Sequence, residues 1–230
     1  MPNREETVGG ERLDEQTMAL RAVKEFREGM VINLGIGIPT LCASFIPGDI
    51  ETLFHTENGA LGFGPIVEDP READVDLINA GVQPISRRPG MCFFDHAESF
   101  AMIRGGHIDL AVLGGLQVSE RGDLANWLLP GKAIGSLGGG MDLALCARRV
   151  IALMTHTTKD GRPKIIRECS YPLTAPRCVN LIITDIAVIE ITPEGLLLRE
   201  IAPGWESRDV QALTEPPLIV APDLQEITLL

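Results

Sequence analysis

A single carboxylate, Glu57, stands at the head of the stretch Glu57-Asn58-Gly59-Ala60-Leu61-Gly62-Phe63-Gly64-Pro65, one residue beyond the apolar segment Glu51–His55. Glycine permits positive φ and lets another molecule approach the backbone where a side chain would block it. Carboxylate nucleophiles are weak and gain most from being held in place, so a carboxylate on such a loop points to covalent chemistry. A solvated turn with an exposed glutamate is the plain alternative. His55 sits two residues earlier and shares the face of Glu57 in a strand. It is a candidate to tune that carboxylate, and a packed or solvated histidine is the simpler reading.

A second glycine cluster, Gly135-Ser136-Leu137-Gly138-Gly139-Gly140-Met141-Asp142, precedes an expected helix. Amides exposed at a helix start attract negative charge, whether phosphate or a developing oxyanion. Close packing against a neighbour is the alternative, but next to an active carboxylate the oxyanion role fits better. No Gly-Lys-Ser/Thr follows, which excludes a P-loop. The turn Gly35-x-Gly37-x-x-Thr40 lacks the third glycine and the distant acidic residue of a dinucleotide site, and Pro39 interrupts it. It reads as a tight strand-to-helix turn that brings backbone amides and Asn33 near the Glu57 loop. The histidines at 55, 96, 107 and 156 show no ligand spacing, so no metal is expected. No GxSxG is present, so a serine-hydrolase triad has no support. Glu120 and Asp123 read as a solvated loop. Arg87, Arg88 and Lys132 are candidate phosphate contacts, with surface solvation as the default for each.

These groups need a scaffold, and the apolar periodicity supplies one. A helix is expected over Leu13–Glu28, with Ala19, Ala22, Val23 and Phe26 on one stripe and Gly29 as its stop. Met30–Leu34 reads as a buried strand, Pro39 as the first turn of a second helix, and Glu51–His55 as the strand that delivers Glu57 at its C-terminal end. Asp95 and Glu98 form a capping pair for a helix through Ile103, ended by Gly105-Gly106. Ile108–Leu113 and Val150–Met154 are strands, with a helix over Met141–Arg148 between them. Leu181–Ile191 is a β-branched stretch divided at Asp185. A turn at Thr192–Gly195 leads into Leu196–Leu198, followed by a helix over Glu206–Leu213 and a last strand at Leu218–Val220. Alternating helices and apolar strands imply an α/β class, with a largely parallel sheet covered on both faces. Residues 1–12 read as a polar, flexible N-terminal tail and residues 13–230 as one domain.

The chain has 230 residues, 45% of them hydrophobic, and a formal net charge of −12. That charge argues against nucleic-acid or anionic-membrane binding, since both need a basic footprint. Five cysteines without a CxxC pair fit reduced thiols in the cytoplasm. No apolar run is long enough to span a bilayer.

Five stretches carry a family resemblance. They are Asn33-Leu34-Gly35-Ile36-Gly37-Ile38-Pro39, the Glu57–Pro65 loop, Ala125-Asn126-Trp127-Leu128-Leu129-Pro130-Gly131-Lys132, Gly138-Gly139-Gly140-Met141-Asp142-Leu143 and Thr155-His156-Thr157-Thr158-Lys159-Asp160-Gly161. In this order, over about Leu13–Val220, they resemble the B (β) subunit of the family I 3-oxoacid CoA-transferases, which include the succinyl-CoA:acetoacetate and 3-oxoadipate enzymes. The resemblance implies a three-layer α/β/α CoA-transferase fold. It implies Glu57 as the nucleophile that carries CoA as a glutamyl thioester. Asn33, Gly35, Gly37, Asn58, Gly59, Gly138, Gly139 and Gly140 are then the candidate substrate-binding or oxyanion positions. A CoA thioester is the substrate, and no permanently bound cofactor is implied. A separate A (α) subunit is implied as partner, in a heterodimer or heterotetramer. The chain departs from the family at Thr56, where serine is usual, at Gly140, where alanine is common, and at Ser136-Leu137, where Gly-Met is usual; the loop changes bear on substrate choice. An acyl-CoA hydrolase, and a non-catalytic sensor of phosphorylated ligands, are the alternatives on the same broad scaffold.

Overall fold

The computed structural model describes residues 9–46, 48, 50–131 and 137–229. Residues 1–8 of the expected tail, and Lys132, Gly135 and Ser136, lie outside them. The strands in chain order are β1 (Val31–Leu34), β2 (Leu53–Thr56), β3 (Ala60–Leu61), β4 (Cys92–Phe93), β5 (Leu110–Leu113), β6 (Gln117–Ser119) and β7 (Leu124–Ala125). They continue as β8 (Val150–Leu153), β9 (Ile165–Ile166), β10 (Leu181–Ile183), β11 (Ala187–Thr192), β12 (Gly195–Ile201) and β13 (Leu218–Glu226). The helices are α1 (Glu15–Val23), α2 (His96–Arg104), α3 (Gly140–Cys146) and α4 (Ser207–Ala212), with a 3-10 helix at Ile38–Ser44.

Ten strands join in the order β13-β12-β11-β10-β8-β5-β1-β2-β3-β4. The middle of the sheet, β10-β8-β5-β1-β2, is parallel; the flanks pair antiparallel at β10-β11-β12 and β2-β3-β4, and β13 joins β12 in parallel. The parallel middle is buried on both faces, which is why β5 and β8 read as unbroken apolar runs. A second sheet, β7-β6-β9, was not expected from the sequence; its strands have two or three residues each, too short for a period to register. One hydrophobic core runs from Met18 to Ile227.

Chain direction places the helical layers. The β1-to-β2 crossover moves one way along the sheet, and the β2-to-β5 return moves the other way. Right-handed crossovers therefore put the 3-10 helix on one face and α2 on the other. α1 packs on the 3-10 helix and reaches β8 and β10, whereas α2 packs on α3 and α3 on β5. The loops after β1 and β5, which are neighbours, leave toward opposite faces. That is the switch point where open α/β sheets leave a crevice at the carboxyl edge.

Several local expectations need adjustment. α1 begins at its Asp14 cap but ends at Val23; the chain then tightens into i-to-i+3 turns, and Phe26 stays in the core. The second helix is a 3-10 helix, consistent with Pro39 in its first turn and Gly37 at φ 93° before it. The final strand runs to Glu226; Pro222 is tolerated because β13 is an edge. Residues 9–12, read as part of the tail, lie against the body. Trp205 Nε1 donates to Glu11 O at 3.0 Å, Arg12 pairs with Asp185 at 2.7 Å, and Gly9 packs against the Trp205 ring.

His156 lies wholly inside, between Thr184 Oγ1 at 3.0 Å and Thr214 Oγ1 at 2.9 Å. Burial pushes its pKa down from 6.5 to about 3. Between those values the unfolded chain holds a proton the folded chain refuses, so stability falls as pH falls below about 6.5. At pH 5 this site costs about 2 kcal/mol. Denaturant titrations at pH 7 and pH 5 should therefore show a smaller acid loss for His156→Gln than for wild type, and an identical loss would refute the assignment.

Candidate active site

β2 ends at Thr56, and the next residue, Glu57, turns off the sheet at its carboxyl edge. The turn that presents it is built by its neighbours. Thr56 Oγ1 donates to Asn58 Oδ1 at 2.9 Å and accepts from Ala80 N at 2.9 Å. Asn58 Nδ2 donates to Ile78 O at 2.8 Å, and Gly59 N donates to Thr56 O at 3.0 Å. Gly59 has φ +120°, and a Cβ there would strike Phe94 O, so no other residue fits.

Glu57 opens on a cavity of about 470 Å³. Its wall follows the carboxyl ends of β2, β1, β5 and β8 in spatial order, through Glu57, Asn33–Ile36, Leu113–Leu116 and Leu153–Thr155. Leu137–Gly140 closes one side. Gly139 is the near neighbour: an added Cβ would stand 3.5 Å from Glu57 Cγ and 3.6 Å from Cδ. Asn33, on β1 and 1% exposed, aims its amide at the same carboxylate, with Nδ2 at 3.4 Å from Glu57 Oε2.

Of the nine candidate positions, the cavity gathers Glu57, Asn33, Gly35, Gly138, Gly139 and Gly140. Gly37, Asn58 and Gly59 stand outside its lining and act on the backbone. Gly37 precedes the 3-10 helix, where its carbonyl accepts from Thr40 N and Oγ1. Gly35 lines the cavity, but its amide is committed to Val112 O at 2.8 Å, and a Cβ would crowd that carbonyl at 3.2 Å. Gly140 likewise donates to Leu137 O at 2.9 Å, which withdraws it from oxyanion duty. Among the described residues no acceptor pairs with the amides of Gly138 or Gly139. Among the described residues, those two amides and the Asn33 side chain are thus the candidate donors beside Glu57.

The histidine expected to share a face with Glu57 is buried. His55 contacts Asn33 Nδ2 through Nδ1 at 3.1 Å and Ser99 Oγ through Nε2 at 3.1 Å, and burial pushes its pKa down to about 4. The Asp95 cap of α2, read from the sequence, sets Ser99 one turn into the helix. Arg87 and Arg88 point elsewhere, to Asp74 at 2.9 Å and Glu51 at 3.7 Å. Among the described residues no group of three or more His, Cys, Asp or Glu side chains could hold a metal ion.

Sequence reading missed the far wall of the cavity. Lys164, immediately before β9, donates from Nζ to Thr155 Oγ1 at 3.1 Å, and burial pushes its pKa down to about 8 against the opposing pull of Asp185. Asn126 reaches Gly114 O at 3.0 Å and joins Thr174. Both residues fall in or beside motif stretches, yet nothing in their spacing places them in one cavity with Glu57.

Gly139→Ala tests the closeness of the glycine loop. The backbone at φ −80° suits alanine and the new Cβ would press only on the Phe100 ring, with Cζ at 3.3 Å, so the melting temperature should fall little. The new methyl would occupy the space beside the Glu57 carboxyl that a reacting group must enter. Turnover should fall about 10²-fold, the cost of a small misplacement at a reacting centre. Unchanged turnover would show that the reacting group approaches from elsewhere.

An open α/β sheet that presents a carboxylate at its carboxyl edge, on a cavity that glycine loops also line, has the geometry of a small-molecule site. Residues 16–212 match the family model described as coenzyme A transferase. The chain is 50% identical over 209 residues to the B subunit of the 3-oxoadipate CoA-transferase of Pseudomonas putida, covering 90% of this chain and 97% of that one. It is 47% identical to the β subunit of the acetate CoA-transferase of Escherichia coli, over 91% of this chain and 95% of the relative. An acyl-CoA transferase apoenzyme of Escherichia coli O157:H7 superposes with TM-score 0.72 at 24% identity, over 96% of this chain. The chain spans 45% of that longer protein. Glutaconate coenzyme A-transferase of Acidaminococcus fermentans superposes at 0.69 and 16% identity, over 94% of this chain and 88% of that one. The chain belongs to the coenzyme A transferase family.

Proposed function

We propose that the chain is the catalytic B subunit of a two-subunit 3-oxoacid CoA-transferase, with succinyl-CoA as donor and a short 3-oxo acid as acceptor. Relatives at 50% and 48% identity are named as the B subunits of a 3-oxoadipate CoA-transferase and of a probable succinyl-CoA:3-ketoacid coenzyme A transferase, which supports both the substrate class and an A subunit. The observation that carries the reading is Glu57 at the cavity mouth, with Gly139 against its carboxyl and Asn33 at 3.4 Å. In this reading Glu57 attacks the thioester carbonyl; a C–O bond forms, the C–S bond breaks and CoA leaves as thiolate. The thiolate then attacks the glutamyl carbonyl of the anhydride, and the donor acid leaves as its carboxylate. A 3-oxo acid reverses both steps and departs as the new acyl-CoA. No proton moves; one negative charge passes between Glu57, sulfur and the free acid.

Asn33 and the amides of Gly138 and Gly139 act as the donors for the oxyanion of each tetrahedral step. The A subunit covers the mouth, where Ile36 is 71% and Val82 74% exposed on adjoining loops. Residues 13–230 form one domain of this assembly, and the complex works in the cytoplasm, where five free thiols persist. Borohydride reduces a glutamyl thioester, so it should inactivate the complex when acyl-CoA is present and spare it otherwise. Equal loss with and without acyl-CoA would remove the intermediate from the reading.

A further inference from the structure

Asn33 Nδ2 carries two hydrogens and faces three acceptors: His55 Nδ1 at 3.1 Å, His55 O at 3.2 Å and Glu57 Oε2 at 3.4 Å. Its own Oδ1 is buried and finds no partner among the described residues. Nothing on the oxygen side of this amide therefore holds it in place. The orientation is decided on the nitrogen side, and there the partners differ in permanence. Glu57 is the group the proposed reaction converts, so its acceptor oxygen changes charge and position as it becomes an anhydride or thioester. Only the two His55 atoms stay in place throughout.

We propose that His55 is a positioning residue for the transfer reaction, holding the Asn33 amide so that its NH2 faces Glu57 in every covalent state of the site. This rests on the reading of Glu57 as nucleophile. To accept at Nδ1 the ring must be neutral with its hydrogen on Nε2, and that N–H then donates to Ser99 Oγ. The pocket favours this form. His55 is 2% exposed, the Phe94 ring stacks on it at 5.8 Å and 13°, and burial lowers its pKa far enough to keep it uncharged at neutrality. A ring bearing hydrogen on Nδ1 would set donor against donor at Asn33. An Asn33 turned over would set Oδ1 against Glu57 Oε2 and His55 O, so the carboxyl would meet an acceptor where the oxyanion needs a donor. Three elements converge in this chain of contacts: Ser99 from α2, His55 from β2 and Asn33 from β1.

The test uses the complex of this chain with its A subunit. The rate of CoA loading onto Glu57 in one turnover, and the KM for succinyl-CoA, are measured for wild type, His55→Leu and His55→Gln. His55→Leu removes the acceptor; loading should slow about 10²-fold, with KM within about 3-fold of wild type, as expected for loss of an oriented donor. His55→Gln keeps an acceptor oxygen in the ring's place and should recover loading to within about 5-fold of wild type. Should His55→Leu fail to fold, Ser99→Ala decides the matter, because alanine suits a helix. Freed of its Nε2 partner, the ring should admit the Nδ1–H tautomer in 15N spectra, and loading should slow about 5-fold. A Gln variant as slow as Leu, a Leu variant as fast as wild type, or Nδ1–H in the wild type would each overturn the proposal. A wild-type complex that takes up no CoA would instead refute Glu57 as nucleophile.

Discussion

Glu57→Ala is expected to abolish CoA exchange, lowering turnover by at least about 10⁴-fold, or about 5.5 kcal/mol. The change removes the atom that bonds to the acyl group, and no second carboxylate lines the cavity among the described residues. Folding should be spared. Glu57 is half-buried and its one hydrogen-bond contact among the described residues is Asn33 at 3.4 Å, while Asn33 keeps both His55 contacts. A change of under about 0.5 kcal/mol is expected for such a site. Assembly with the A subunit and the melting temperature are the checks. A variant that retains a tenth of the wild-type turnover would mean that Glu57 is not the nucleophile.

Asn33→Asp is expected to have the second largest effect. The side chain is isosteric, but the donor becomes a buried carboxylate about as close to Glu57 as the amide now is. Two carboxylates sharing one site cannot both ionise easily, so one keeps its proton to higher pH. The other two acceptors around Asn33, His55 O and Nδ1, also lose their donor at neutral pH. Turnover should drop about 10³-fold, the upper range for loss of one oxyanion donor. The remaining activity should be greatest at acid pH, where the new carboxyl is protonated and can donate again. Activity that rises toward alkaline pH would argue against Asn33 as a donor to the reacting group.

Glu57 was legible in the sequence because strand-to-loop punctuation is local. An apolar segment, then a carboxylate, then repeated glycine fixes both the end of β2 and the side chain presented there. The Asp95 cap, the break at Asp185 and the Thr192–Gly195 turn were readable for the same reason, since each is settled by hydrogen bonds between near neighbours in the chain. Glycine was harder to read. Gly35, Gly37 and Gly59 carry the same residue type as Gly138 and Gly139, but the first three answer to sterics and turn geometry, and only coordinates reveal which amides are already paired. Lys164 was not singled out, and Asn126 stood in a motif stretch without a role. They flank β9 and β7 of the second sheet and line the same cavity as Glu57, and no spacing along the chain encodes how that sheet comes to the cavity.

Mass spectrometry of the Glu57 peptide, taken from the assembled complex quenched during turnover with succinyl-CoA, tests the chemistry most directly. CoA should be found joined to the Glu57 side chain and should disappear when a 3-oxo acid is added before quenching. Turnover with the peptide unmodified, or with CoA on any other residue, would contradict a nucleophilic Glu57.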